Sequence, residues 1–200
     1  MLTVKEGIKA VKYVRMIIEE HIRKTPITHH DFESVFHEKR GAFVTLYTYP
    51  TQDLRGCIGI PQPVMPLKDA LREAAVSSTH DPRFYPLIEK ELDGIIVEIT
   101  ILTKPAYLEL DFPEQYPEHI IIGKDGLIIE YLGRSGLLLP QVPVEYGWDG
   151  KTFLNHLCLK AGLPEDIWLE GNVNIYKFSG QIFSEKKPYG DIEEKIIDGI

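Results

Sequence analysis

A cation, a thiol and two glycines fall within six consecutive residues, Leu54-Arg55-Gly56-Cys57-Ile58-Gly59. In an extended chain the period of two sends Leu54, Ile58 and Ile60 to one face, with Gly56 between them, and Arg55, Cys57 and Gly59 to the other. The guanidinium and the thiol would then share a face, about 7 Å apart at the backbone. Gly56 and Gly59 would admit a ligand or another backbone at close range. The same six residues also fit an ordinary bulged turn.

Cys57 is the candidate nucleophile. A free thiol titrates near pH 8.5, and a neighbouring cation is one way to raise its thiolate fraction. Arg55 could supply that cation. A thiol enzyme also needs a base within hydrogen-bond reach; of the seven histidines, His80, just before Asp81-Pro82-Arg83, is the best placed. Cys57 can therefore be read as a catalytic residue, a ligand contact or a buried small side chain. Arg55 and Arg83 suit an anion, since arginine pairs bidentately with carboxylate or phosphate. Asp81 joins them either as a turn starter before Pro82 or as the salt-bridge partner of Arg83. Gln141, Glu145 and Trp148 could hold a polar ligand with an apolar face, although Trp148 could equally be core. His29-His30-Asp31 and His37-Glu38 lack the spacing of a metal motif, so neither metal nor cofactor is expected.

These residues need elements to position them. Thr3 and Glu6 form a capping-box pattern ahead of Ile8, Val11, Val14, Ile18 and Ile22, which predicts an amphipathic helix ending near Lys24. Strands are predicted over 41–49, the hexapeptide, 94–102 and 173–183. Ile95, Val97, Ile99 and Ile101 alternate with Glu98 and Thr100, as in a strand with one wet face. Helices are predicted over 67–77 and from Thr152 to Ala161, the second closed by Gly162 and Pro164 and carrying Cys158 on its core face. Residues 119–146 read as an antiparallel meander with hairpins at Lys124-Asp125-Gly126 and Gly133-Arg134-Ser135-Gly136. Strands in runs, with helices between groups, predict an α+β fold. Residues 187–200 read as a charged tail with a short apolar patch, Ile192, Ile196 and Ile197.

The bulk composition narrows the class. Two hundred residues, 44% hydrophobic and 26% charged, are enough for a substantial core. A net charge of −8 opposes general binding to phosphate backbones. The N-terminus lacks signal-peptide character and no apolar run approaches the roughly 20 residues that span a bilayer, so no membrane association and a cytoplasmic location are expected. Two cysteines make no disulfide framework, and free thiols are expected.

Several phrases together resemble the AMMECR domain family: Gly41-Ala42-Phe43-Val44-Thr45-Leu46, the hexapeptide, Asp81-Pro82-Arg83-Phe84, Gly136-Leu137-Leu138-Leu139-Pro140-Gln141-Val142 leading to Trp148, and Phe153-Leu154 through Lys160-Ala161-Gly162-Leu163. They occur in family order over roughly residues 5–185. The resemblance implies a single two-lobed α+β domain over residues 1–186, with antiparallel sheets flanked by helices and the hexapeptide near a cleft between lobes. It implies no established reaction. Family members are associated with Memo-like and radical-SAM proteins, which implies a partner. The reading that follows is a binding or adaptor module for a small anionic ligand or a partner protein, using Arg55, Gly56, Gly59, Asp81, Arg83, Gln141 and Trp148. The alternative is an enzyme with Cys57 as its thiol nucleophile.

Overall fold

In chain order the elements are α1 (Val4–Arg23), β1 (Ala42–Thr48), β2 (Leu54–Ile60), α2 (Leu67–Ser78), β3 (Ile95–Leu102), β4 (Ala106–Tyr107), β5 (Asp125–Tyr131), β6 (Arg134–Leu138), α3 (Gln141–Tyr146), α4 (Gly150–Lys160), β7 (Asn174–Glu185) and β8 (Ile192–Lys195). The computed structural model describes residues 1–26 and 31–195. His29, His30, Ile196 and Ile197, named above, lie outside the described residues. The chain divides into two units, one of Met1–Leu102 with residues 181–195, the other of Thr103–Gly180. The fold is α+β with antiparallel strand pairing, as the sequence predicts.

In the first unit, α1 opens on the capping box: Thr3 Oγ1 accepts from the Glu6 N–H and the Glu6 carboxylate accepts from the Thr3 N–H. It closes at Lys24 in the left-handed conformation, φ 56°. β1 pairs antiparallel with β2 on one side and β3 on the other. Ala42, Val44 and Leu46 of β1 are fully buried among Val11, Val14 and Ile18 of α1 and Ala70, Leu71 and Ala74 of α2. Each large aliphatic side chain hidden this way contributes roughly 1.5–3 kcal/mol.

Three features depart from the sequence reading. β3 has no wet face: Glu98 and Thr100 are only 7% and 4% exposed. Glu98 is held by the Lys195 ammonium at 2.6 Å and the Tyr47 hydroxyl at 3.4 Å. The charge survives burial because both oxygens are partnered. Lys195 comes from β8, which pairs with the second half of β7, so residues 192–195 of the expected tail form a strand. The third is Arg15, 6% exposed on the buried face of α1. It pairs with Glu185 of β7 and donates to the carbonyls of Leu92 and Ile95 at 3.0 and 2.7 Å. Glu185 also accepts from the Val97 N–H at 2.9 Å.

In the second unit, β5 pairs with β6 and with the first half of β7, and β4 pairs with β7. The β5–β6 hairpin turns on Leu132-Gly133, both at positive φ, 45° and 78°, so Arg134, Ser135 and Gly136 of the expected turn lie in β6. Lys124-Asp125-Gly126 makes no hairpin, because the chain before it is a 3-10 turn, Pro113–His119, and not a strand. Residues 141–146 are the short helix α3 and not part of a meander. Asp149 caps α4 by accepting from the Thr152 N–H at 2.7 Å. Phe153, Leu154, Leu157 and Cys158 of α4 pack with Leu127, Ile129 and Ile175 of the strands.

Candidate functional site

The hexapeptide is a strand with a flaw in it. Leu46 stands opposite Gly56 and Tyr47 opposite Leu54, so Arg55 is the extra residue of a β-bulge. The bulge interrupts the alternation that would have set Arg55 and Cys57 side by side. A Cβ on Gly56 would lie 2.4 Å from the carbonyl oxygen of Ser78, the last residue of α2. Backbone cannot yield at that distance, so the close approach of β2 to the end of α2 requires glycine. A Cβ on Gly59 would lie 2.1 Å from the Phe43 ring, which makes this glycine a seat for an aromatic side chain.

Asp81 joins the end of α2 to β2. Its side chain is 1% exposed and accepts four bonds: from the Cys57 N–H at 2.8 Å, the Arg83 N–H at 3.0 Å, and Arg83 Nε and Nη2 at 3.0 and 2.7 Å. The Arg83 guanidinium, reinforced by the two backbone N–H groups, holds this carboxyl far below the usual carboxylate range against the cost of burial. Arg83 Nη2 also reaches the Cys57 carbonyl at 3.3 Å. Asp81 and Arg83 thus hold both the N–H and the carbonyl of Cys57.

Arg55 is gripped in a similar way. Nε and Nη2 donate to the two oxygens of Glu91 at 2.8 and 3.1 Å. Arg55 and the Ile88 N–H hold Glu91 below its ordinary pKa. Both guanidinium carbons lie near the Phe84 ring, Arg55 at 6.0 Å and Arg83 at 5.7 Å from its centroid. Among the described residues neither Nη1 has a protein acceptor. The two arginines, Phe84, Tyr85 and Lys90 line an open hollow of about 760 Å³. Guanidinium groups oriented by carboxylates on one side, with free donors on the other, suit a carboxylate, phosphate or carbonyl oxygen.

The remaining sequence candidates are placed as follows. Cys57 is part-exposed, and the Thr45 hydroxyl donates to its sulfur at 3.2 Å. It meets Asp81 and Arg83 through its backbone and is absent from the lining of the hollow. His80 is occupied elsewhere: Nδ1 lies 2.7 Å from Thr79 Oγ1, and its ring meets that of His21 edge to face at 5.1 Å. Gln141 and Trp148 belong to the second unit. Trp148 stacks flat on His156, 3.9 Å between centroids, with Tyr146 on it at 5.0 Å. Gln141 Oε1 is buried without a hydrogen-bond partner among the described residues. Cys158 is fully buried, as its helical face predicts. Among the described residues no three histidine, cysteine or acidic side chains converge on a point that could hold a metal ion, and no helix is long and apolar enough to cross a membrane.

Glu91, Lys90 and Ile88 were not singled out in the sequence. Glu91 lies 36 residues from Arg55, and nothing local marks it as the partner. Phe84 was legible, because it sits within Asp81-Pro82-Arg83-Phe84.

Comparison with known proteins identifies the family. Residues 11–183 match the AMMECR1 family model. The chain is 55% identical to protein MJ0810 of Methanocaldococcus jannaschii over 98% of both chains. It is 47% identical to protein MK0488 of Methanopyrus kandleri over 97% of this chain and 95% of that one. The crystal structure of the uncharacterised protein PH0010 from Pyrococcus horikoshii superposes with a TM-score of 0.86 at 44% identity, covering 98% of each chain. With the family model matched over residues 11–183 and relatives matched over nearly the whole chain, the protein belongs to the AMMECR1 family.

Proposed function

We propose that this chain is a binding module that recognises an anionic group, on a small ligand or on a partner protein, in the hollow beside Arg55 and Arg83. The observation that carries the reading is the pair of arginines, each held in place by a bidentate carboxylate and each keeping Nη1 free beside the same aromatic ring. The carboxylates Glu91 and Asp81 spend one edge of each fork on orientation. The other edge is left for the ligand without an entropic cost of ordering a long side chain. Memo-like and radical-SAM proteins, implied by the family resemblance, are the first partners to test.

Titration calorimetry with succinate and with inorganic phosphate at about 0.05 M salt, where charge attraction is least screened, tests the reading. Arg55→Gln should weaken the better-bound anion at least about tenfold, roughly the 1.4 kcal/mol expected for one charge-assisted contact. Equal affinity in the wild type and Arg55→Gln would remove Arg55 from the site; no measurable binding of either anion would remove the site.

A second reading keeps Cys57 as a thiol nucleophile. It is supported by the part-exposed sulfur, to which the Thr45 hydroxyl donates at 3.2 Å. A rate of iodoacetamide alkylation that depends on pH with a midpoint well under 8 would favour it.

A further inference from the structure

A second hollow, of about 730 Å³, lies next to the first in the same unit. Its apolar wall is made by Ile17, Ile22, Val76 and Leu87, with the His21–His80 ring pair beside them. Ile88 lines both hollows and is 46% exposed. Tyr85, on the wall of the first hollow, is 90% exposed. An exposed isoleucine and tyrosine flanked by Pro82 and Pro86 form an apolar surface that nothing in the described chain covers.

The two ends differ in charge. The first hollow presents Arg55, Arg83 and Lys90 against Glu91, with Asp81 buried behind Arg83. It is cationic within a protein of net charge −8. The second presents Lys24 and Arg72 against Glu20 and Glu89, a balanced set. Burial, with His80 as a neighbour, keeps His21 below the ordinary imidazole pKa, so His21 adds little charge to this balanced set at neutral pH.

We infer that the two hollows form one track for an extended segment of a partner protein, with an acidic side chain at the Arg55–Arg83–Lys90 end and an aliphatic or aromatic side chain against Val76 and Leu87. The inference rests on the anion-binding reading above and names its occupant. An extended chain places side chains of different chemistry at fixed intervals along one line. That matches a cationic hollow and an apolar one joined over Ile88. A nucleic acid or an anionic membrane would meet the carboxylates of Glu20, Glu89 and Glu91 along the way, and is disfavoured by them.

Fluorescence anisotropy tests it with labelled synthetic octapeptides. Each carries Asp-Asp at one end and a single Leu, Phe or Trp scanned through the other positions, the rest being Ser. The reference keeps Asp-Asp and carries Ser at every other position, and succinate serves as the competitor. The best scanned peptide should bind at least about tenfold more tightly than the reference. Val76→Asn, and the milder Val76→Ser, both at a residue that lines the second hollow and not the first, should abolish that gain while leaving succinate binding intact. Lys90→Glu should weaken peptides and succinate alike. If no scanned peptide exceeds the reference, or if both Val76 variants bind the best peptide as the wild type does, the track is refuted although succinate still binds. If neither succinate nor any peptide binds, the anion site falls and the track with it. Light scattering that shows a dimer lost in the Val76 variants would also overturn the assignment, since the occupant would then be a second copy of this chain.

Discussion

Asp81 is the side chain on which the geometry around β2 depends most. It satisfies the Cys57 and Arg83 N–H groups and orients the Arg83 guanidinium, all while buried. Asp81→Asn keeps the shape but loses the charge, and the amide presents donors to a site that supplies only donors. It should cost about 2–4 kcal/mol in urea unfolding at pH 7. The pH dependence follows from the direction of the shift. The folded carboxyl titrates far below the ordinary value of 3.8, so its contribution is complete above that value and is lost as pH falls toward the folded one. The gap between wild type and Asp81→Asn should therefore stay constant from pH 8 to 5 and narrow below about pH 4. A gap that is unchanged at pH 3 would show that the charge is not what matters. Asp81 and Arg83 were legible in the sequence as a candidate salt bridge, because the two lie two residues apart across a turn. The Arg55–Glu91 pair was not legible, because a strand bulge and the 3-10 turn Glu89–Gly94, with the two residues 36 apart, meet only once the chain is folded.

Among the elements, α1 shows how a polar residue can serve a packed face. Its apolar positions and its capping box are local properties, and periodicity identifies them. Arg15 lies on the same buried face and would look like an error in the pattern if its partner were unknown. Glu185, from the far end of the chain, neutralises it, and the carbonyls of Leu92 and Ile95 take its remaining donors. Glu185→Ala leaves the guanidinium buried without its counter-charge and should destabilise the protein by about 3–5 kcal/mol. Arg15→Met combined with Glu185→Ala should recover part of that loss, because hydrocarbon replaces both charges. Urea unfolding of the two variants checks this; a double variant no more stable than Glu185→Ala would mean that the Leu92 and Ile95 carbonyls, left unpaired, dominate. β3 teaches the same lesson. Glu98 and Thr100 alternate as a wet face should, yet Lys195 and Tyr47 close over Glu98, and no local pattern announces β8.

At the scale of the molecule, the two thiols report on different units. Cys158 sits in the core of the second unit, and burial pushes its thiol up to about 11. Cys57 is part-exposed in the first. An aromatic disulfide reagent at pH 8 should therefore titrate one thiol per chain in the native state and the second only after denaturant is added. The variant Cys57→Ser should abolish the native reaction. Native labelling that survives in Cys57→Ser would place Cys158 within reach of solvent and contradict the packing of α4.

The amino-acid sequence on its own determined what depends on near neighbours: helix faces and caps, strand alternation, the α+β class, and the family resemblance carried by five phrases in order. Tertiary structure alone decided which side chains meet. It chose the bulge at Arg55 over a regular strand, set His80 against Thr79 and His21, and brought Glu91 to Arg55, Glu185 to Arg15 and Lys195 to Glu98. The reason is physical. Periodicity records which face of an element is buried, whereas the partner of a buried charge is chosen by whichever distant segment the fold delivers to it, since an unpaired charge there would cost several kcal/mol.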